Sequence, residues 1–282
     1  MIRLVLNADD LGLTAPLSEV IVALRAGDLV TDTSFLTCGE AFDGTARALL
    51  SHGITTTGIH LCIVGGEAPV SRPADVPSLV RGGRFRSGWP SVAAAAAAGR
   101  ISVRDVEHEW EAQVVRALDA GLRVTHFDSH QHLHLLPTLL PVAIRLARRF
   151  DVAYIRAPGT ERTAKWASAG LGAAGKARLL SAFGDRARRM LHTVGLPDPP
   201  VAVGLAEAGG MTLDRWTRLL SSMPDGTYEV VLHPGTGDGG TASRYRWGYR
   251  WDEEAQVLRG DELRNLFARS GVRTLSFADL SG

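Results

Sequence analysis

Ile2-Arg3-Leu4-Val5-Leu6-Asn7-Ala8-Asp9-Asp10-Leu11-Gly12 opens the chain and decides how the rest of its 282 residues is read. A short apolar run over residues 2–7 meets two acids, then a turn at 9–12. From about residue 15 to 26, Leu17, Val20, Ile21 and Leu24 recur at three- and four-residue steps, the spacing of one helix face. The segment is a strand–loop–helix unit with its acids at the carboxyl end of the strand.

Working outward, the unit recurs. Strands are predicted at 33–36, 56–62, 124–128, 152–155, 202–205, 229–232 and 273–277, with helices at about 41–52, 137–150, within 164–194, 213–222 and 252–270. Eight strands alternating with helices imply a parallel sheet, and the count suits a (β/α)-barrel of the TIM-barrel type, an α/β fold in a single domain over 1–282. An open doubly wound sheet satisfies the same alternation. Two segments break the rhythm. A long insertion at about 63–100 is rich in Gly, Pro, Ser and Ala, longer than an ordinary βα loop, and its run at 93–98 reads as an Ala-rich helical turn. The second, 235–250, is rich in glycine and aromatics.

Composition narrows the function classes. Hydrophobic residues make up 45% of the chain and charged residues 22%, as in an ordinary globular protein with a sizeable core. With 31 basic against 30 acidic residues there is no electrostatic footprint for nucleic acid, and Arg186, Arg188 and Arg189 read as a solvated helix face. Cys38 and Cys62 are the only cysteines, too few for a disulfide framework, so a reducing cytoplasm is expected. The first residues lack the apolar length of a signal peptide, and no stretch approaches the roughly 20 apolar residues of a membrane span. The expectation is a soluble cytoplasmic protein.

Four motifs carry chemistry: Asn7-Ala8-Asp9-Asp10, Gly58-Ile59-His60-Leu61, His126-Phe127-Asp128-Ser129-His130-Gln131-His132-Leu133-His134, and Leu232-His233-Pro234-Gly235. Each is expected at the end of a strand. The carboxyl ends of parallel strands share one face, so the topology itself gathers four distant segments at one mouth. Imidazole and carboxylate together suit a borderline divalent cation, and a two-His, one-Asp set leaves positions open for water and a substrate oxygen. Such a cation lowers the pKa of water towards roughly 7 and polarises a carbonyl; a free carboxylate can take the water proton and a histidine can protonate a leaving amine.

Blander readings exist for each motif alone. Asp9-Asp10 fits a helix N-cap and first-turn acid, His60 a hydrogen-bonded structural histidine, and His233 a turn former before Pro-Gly. The third motif resists dismissal, because four of the nine histidines fall within nine residues. All four motifs at strand ends favour a metal site.

In order and spacing these motifs, with a terminal Leu275-Ser276-Phe277-Ala278-Asp279-Leu280, resemble the YdjC-like carbohydrate deacetylases, a family that includes chitooligosaccharide deacetylases and hopanoid-associated relatives. The resemblance runs from Asn7 to the C-terminus; 164–201 carries no motif that can be placed. It implies a metal-dependent hydrolase that removes the acetyl group from an N-acetylated amino sugar, with water attacking the amide carbonyl. One divalent ion would be held by Asp10, His60 and His130, zinc or magnesium first, with manganese, cobalt or nickel as alternatives. Asp9 would be the general base and His233 the general acid; the swap of the two aspartates stays open. Arg156 would hold Asp9 ionised, against a surface salt bridge as the plainer reading, and Asp128 would orient a ligand histidine. His132 and His134 would line the site, and Tyr245, Trp247, Tyr249 and Trp251, which alternate, would offer a face for sugar stacking or pack against the barrel rim. The resemblance also suggests a homodimer. Two other readings use the same residues: a metal-dependent phosphoesterase, disfavoured because 235–240 lacks a phosphate-loop lysine, and a sugar-binding protein without turnover, disfavoured because every candidate ligand is present.

Overall fold

The structure is a computed structural model that describes residues 1–27, 29–158 and 171–280. Its strands are β1 (Ile2–Leu11), β2 (Asp32–Phe35), β3 (Thr56–Leu61), β4 (Val80–Arg81), β5 (Arg84–Phe85), β6 (Arg123–Ser129), β7 (Tyr154–Ile155), β8 (Ala157–Pro158), β9 (Val201–Val203), β10 (Gly226–Leu232) and β11 (Arg273–Thr274). Its helices are α1 (Ala15–Gly27), α2 (Phe42–Ser51), α3 (Trp89–Ala97), α4 (Val103–Asp119), α5 (Leu140–Arg149), α6 (Leu171–Thr193), α7 (Leu213–Ser222), α8 (Thr241–Arg244), α9 (Trp251–Arg259), α10 (Asp261–Arg269) and α11 (Phe277–Leu280).

Every pairing in the large sheet is parallel, in the order β7-β6-β3-β2-β1-β10-β9-β8. The two ends of that path are halves of one stretch of chain: Tyr154 and Ile155 pair with β6, and Ala157 and Pro158 pair with β9. Arg156 stands between the halves, so the stretch 154–158 brings the sheet round into a barrel. β11 supplies the eighth stave. It pairs with Arg3 and Leu4 of β1, while β2 joins the same edge of β1 higher up, from Asn7. All eight predicted strands are therefore present, and closure excludes the open doubly wound sheet.

The helices form because their apolar stripes bury against this barrel. In α1, Leu17, Ile21 and Leu24 are buried as their spacing requires, each contributing about 1.5–3 kcal/mol relative to exposure. The helix expected at 252–270 is two helices, broken at Gly260. α4 has no counterpart in the sequence reading. Its Val106, Trp110, Val114 and Ala117 are fully buried at steps of four and three, and Ser102 caps its first turn. The 63–100 insertion is ordered, with a β4–β5 hairpin and the expected Ala-rich helix as α3. Glu109 and Gln113 of α4 hold the start of this segment, accepting from the amides of Val70 and Ser71 and bonding both backbone groups of Cys62. Arg188 departs from the solvated face expected of it: its guanidinium donates to the carbonyls of Ala157, Pro199 and Pro200. Among the described residues, no helix is long and apolar enough to cross a membrane.

Candidate metal centre

Strand alternation builds the barrel interior. On β6, His126 and Asp128 are buried and contact the other interior polar groups, and His130 follows at the next same-parity position. Asn7 and Asp9 of β1, Ser34 of β2 and His60 of β3 meet them. Gly58 is required by this crowding, since a Cβ there would lie 2.2 Å from His126 Nε2. The acids of the first motif lie within the longer β1 rather than past its end. Asp10 has φ +63°, a left-handed backbone that costs a non-glycine residue about 1 kcal/mol or more. That turn lets two adjacent carboxylates serve different neighbours.

Asp10 faces two histidines. Its Oδ1 lies 2.9 Å from His130 Nδ1 and 3.4 Å from His60 Nε2. The other nitrogen of His60 lies 2.8 Å from Asp128 Oδ1. Donation from Nδ1 to that carboxylate leaves Nε2 on the Asp10 side, the second-sphere arrangement that orients a metal-ligating imidazole. One atom from each of Asp10, His60 and His130 lies within 4.8 Å of the others, close enough to share one ion. Burial disfavours the imidazolium form of His60, but Asp128 and Asp9 outweigh it and hold its pKa well above the usual histidine range. His130 is likewise raised against burial, by Asp10. Burial opposes the charged form of Asp10 too, yet the two histidines hold it well below the carboxylate range. Two imidazoles drawn into the charged state by buried carboxylates mark a pocket that calls for positive charge, and a two-His, one-Asp donor set fits a divalent cation.

Asp9 turns the other way. Its two oxygens take a bidentate clamp from Arg156, with NH1 to Oδ2 and NH2 to Oδ1 both at 2.7 Å. Arg156, only 1% exposed, also reaches Asp128 Oδ2 at 2.5 Å and Glu229 Oε1 at 2.6–2.8 Å. Three carboxylates thus enclose one guanidinium. Other atom sets could bring a cation near, namely Asp9, His60 and Asp128, or His126, Asp128 and Glu229. Both draw on carboxylates that Arg156 already engages, whereas the side-chain partners of Asp10 are the two imidazoles. Burial pushes Glu229 up to about 7 against the pull of Arg156.

The remaining predicted residues fall into two groups. His233 follows β10, with its backbone N–H donating to Glu254 Oε1 at 2.6 Å and its Nε2 4.0 Å from Asp9 Oδ2. Burial pushes its pKa below the usual histidine range, with Asp9 and Asp10 pulling against that. Trp247 and Tyr249 are half-buried and border the centre: Trp247 lies 5.2 Å from the His130 ring and Tyr249 4.9 Å from that of His233. Tyr245 and Trp251 are buried behind them, Tyr245 donating its hydroxyl to Glu67. Arg244 also binds Glu67, so the insertion after β3 and the loop after β10 are tied together. His134 is set apart from the mouth. It is fully buried, its Nδ1 lies 2.6 Å from Ser129 Oγ, its Nε2 donates to the Arg156 carbonyl, and burial pushes its pKa down to about 4. His132 is half-buried; with Gln131 it is left-handed (φ +57° and +56°), which breaks the two-residue alternation beyond His130.

Sequence reasoning assigned nothing to Ser34, Glu229, Glu254 or Glu67. Ser34 donates to Asp128 Oδ2 and accepts from Asn7, and nothing in its local sequence announces it. Glu229 did carry a signal: a carboxylate in the strand Tyr228-Glu229-Val230-Val231-Leu232, at the same parity as His233.

A sequence model described as YdjC-like protein matches residues 3–269. The chain is 28% identical to a carbohydrate deacetylase of Brevibacillus brevis over 99% of both chains. It is 30% identical to a human carbohydrate deacetylase over 99% of this chain and 91% of that one. A chitooligosaccharide deacetylase of Klebsiella pneumoniae matches 53% of this chain and 57% of its own at 32% identity. Among solved structures, an Enterococcus faecalis protein described as a cellobiose-phosphate cleavage protein superposes with a TM-score of 0.77 over 99% of this chain and 98% of that one, at 22% identity, a likeness of fold.

Proposed function

The chain belongs to the YdjC-like family, and from that premise we propose that it hydrolyses the N-acetyl group of an amino sugar at a divalent cation held by Asp10, His60 and His130. The observation that carries this is the split between adjacent aspartates: Asp10 faces two imidazoles, whereas Asp9 is clamped by Arg156. A two-His, one-Asp ligand set beside a separately held carboxylate is what metal-assisted amide hydrolysis requires. The names of the curated relatives support a carbohydrate amide as the substrate.

A cation bound there supplies Lewis acidity, drawing electron density from the acetyl carbonyl and making a nearby water easier to deprotonate. Asp9, clamped through both oxygens by Arg156, accepts the proton of the attacking water. His233, neutral at the outset because burial lowers its pKa, lies 4.0 Å from Asp9. It takes that proton onward to the departing nitrogen, so amide and water become acetate and an ammonium group. His60 keeps its ligand geometry through Asp128. Trp247 and Tyr249 offer half-buried ring faces for the sugar, while Tyr245 and Trp251 back them. Zinc or magnesium suits the donors, with manganese, cobalt and nickel compatible.

The test is acetate release from a panel of N-acetylated saccharides and glycoconjugates, with and without a chelator. Release should stop on chelation, return with one divalent metal, and fall at least about a hundred-fold in D9N. Release that survives both treatments would overturn the assignment. Phosphate release from phosphomonoesters without any acetate release would move it to the phosphoesterases.

A further inference from the structure

We infer that Glu229 is a positioning residue for the reaction: through a single oxygen it sets the rotation of the Arg156 guanidinium, and so the orientation of Asp9. The inference rests on the reading of Asp9 as the base.

The geometry is one-sided. Glu229 Oε1 accepts from Arg156 Nε at 2.8 Å, lies 2.6 Å from Arg156 NH2, and accepts from Asn7 Nδ2 at 3.2 Å. Its Oε2 is buried and has no hydrogen-bond partner among the described residues. A guanidinium is a planar fork, so fixing the Nε side fixes where the NH1 and NH2 edge points. That edge is the one that clamps Asp9. Asn7 repeats the coupling from the other side: the same amide that donates to Glu229 lies 3.0 Å from Asp9 Oδ1. Glu229 therefore touches both groups that hold Asp9, yet no bond joins it to Asp9 itself or to Asp10, His60 or His130 among the described contacts. Asp9 is left with its Oδ2 towards His233, the direction in which the proton must leave.

Because only Oε1 is used, shape and charge can be separated. E229Q keeps an oxygen at the Oε1 position and puts its NH2 on the side where no partner is lost. E229D keeps the charge but withdraws the oxygen by about 1.5 Å. For the purified metal-loaded protein acting on whichever N-acetylated saccharide the wild type deacetylates, positioning predicts E229Q within about three-fold of wild-type kcat. E229D should lose about ten-fold or more in kcat with KM nearly unchanged. Crystal structures of both variants without metal provide a readout independent of turnover: Arg156 should keep both bonds to Asp9 in E229Q and lose at least one in E229D. The reverse order of the two variants, an equal loss in both, or an undisturbed Arg156–Asp9 clamp in E229D overturns the inference. If the wild type releases no acetate from any saccharide, the functional reading fails, while the crystallographic comparison still decides whether Glu229 orients Arg156.

Discussion

Two buried polar regions lie next to each other in this barrel, built from similar residue types, and they differ in one respect. Around Arg156, the carboxylates of Asp9, Asp128 and Glu229 meet a cation supplied by the chain itself. Around Asp10, one carboxylate meets two imidazoles and no permanent cation. In the first region one guanidinium bonds to every carboxylate; in the second the carboxylate is met by imidazole nitrogens alone, groups that can take up protons or ligate a metal ion. The boundary between them is the peptide joining Asp9 to Asp10, and the left-handed backbone at Asp10 lets neighbours in sequence belong to different regions. An acidic cluster alone does not identify a metal centre. What distinguishes the Asp10 cluster is imidazole nitrogen beside a carboxylate that Arg156 does not engage, a mixed donor set that suits a borderline cation.

The comparison can be broken first at Arg156. R156M would leave three buried carboxylates without their cation, and removing one partner of a buried ion pair costs about 3–5 kcal/mol. Chemical denaturation should register a loss of that size or an unfolded protein. A loss below about 1 kcal/mol, the range of surface pairs, would show that the cage is not a unit. The second break is at Asp10. Zinc or magnesium should stabilise the wild type, by about 2.7 kcal/mol when metal exceeds its Kd a hundred-fold, and D10A should abolish the accompanying rise in melting temperature. Calorimetric titration with the metal alone checks this, and undiminished stabilisation in D10A would place the ion elsewhere. The smallest effect sharpens the contrast by pH. Glu229 holds its proton up to about 7 in the folded state, whereas an unfolded glutamate releases it near 4.3. Its contribution to stability is thus full below the unfolded pKa and is lost as pH rises through about 7. Relative to the wild type, E229Q should gain stability as pH goes from 4.5 to 7. His134 has the opposite sign: with a folded pKa of about 4, its contribution is lost as pH falls from about 6.5 through 4. Scans of metal-free protein over that range would separate the two slopes.

Much of this was legible in the residues, and the limits have physical causes. All eight barrel strands follow from short apolar runs between helical stripes, and the mouth follows from topology. His126, Asp128 and His130 share one parity, but so do His132 and His134, so alternation alone could not single out the inward side chains; the left-handed turn at Gln131 and His132 does. The division of labour between Asp9 and Asp10 was not legible, because it depends on one positive φ and on Arg156 arriving at Asp9 from 147 residues away. α4 went unread although its Val106-Trp110-Val114-Ala117 stripe is regular, because its polar face is dense with charge and it sits beside the low-complexity run. His134 looked like part of a histidine-rich mouth, yet its partners are Ser129 and a backbone carbonyl. Composition counts histidines without saying which ring nitrogens are already engaged. Glu229 shows the converse: a lone carboxylate in an apolar strand was visible, and only its neighbours reveal what it serves.

The strand that completes the barrel is interrupted by the arginine at its midpoint, with Tyr154-Ile155 stitched to one neighbour and Ala157-Pro158 to the other. A guanidinium cannot be drawn into a dry interior until its counter-ions are there to receive it, and those acids arrive on the first, fourth and seventh staves. Sealing the seam and assembling the carboxylate cage are therefore coupled. A chain that mends its barrel with an apolar residue at this position would give up the clamp on Asp9, so the architecture cannot be perfected independently of the site it houses.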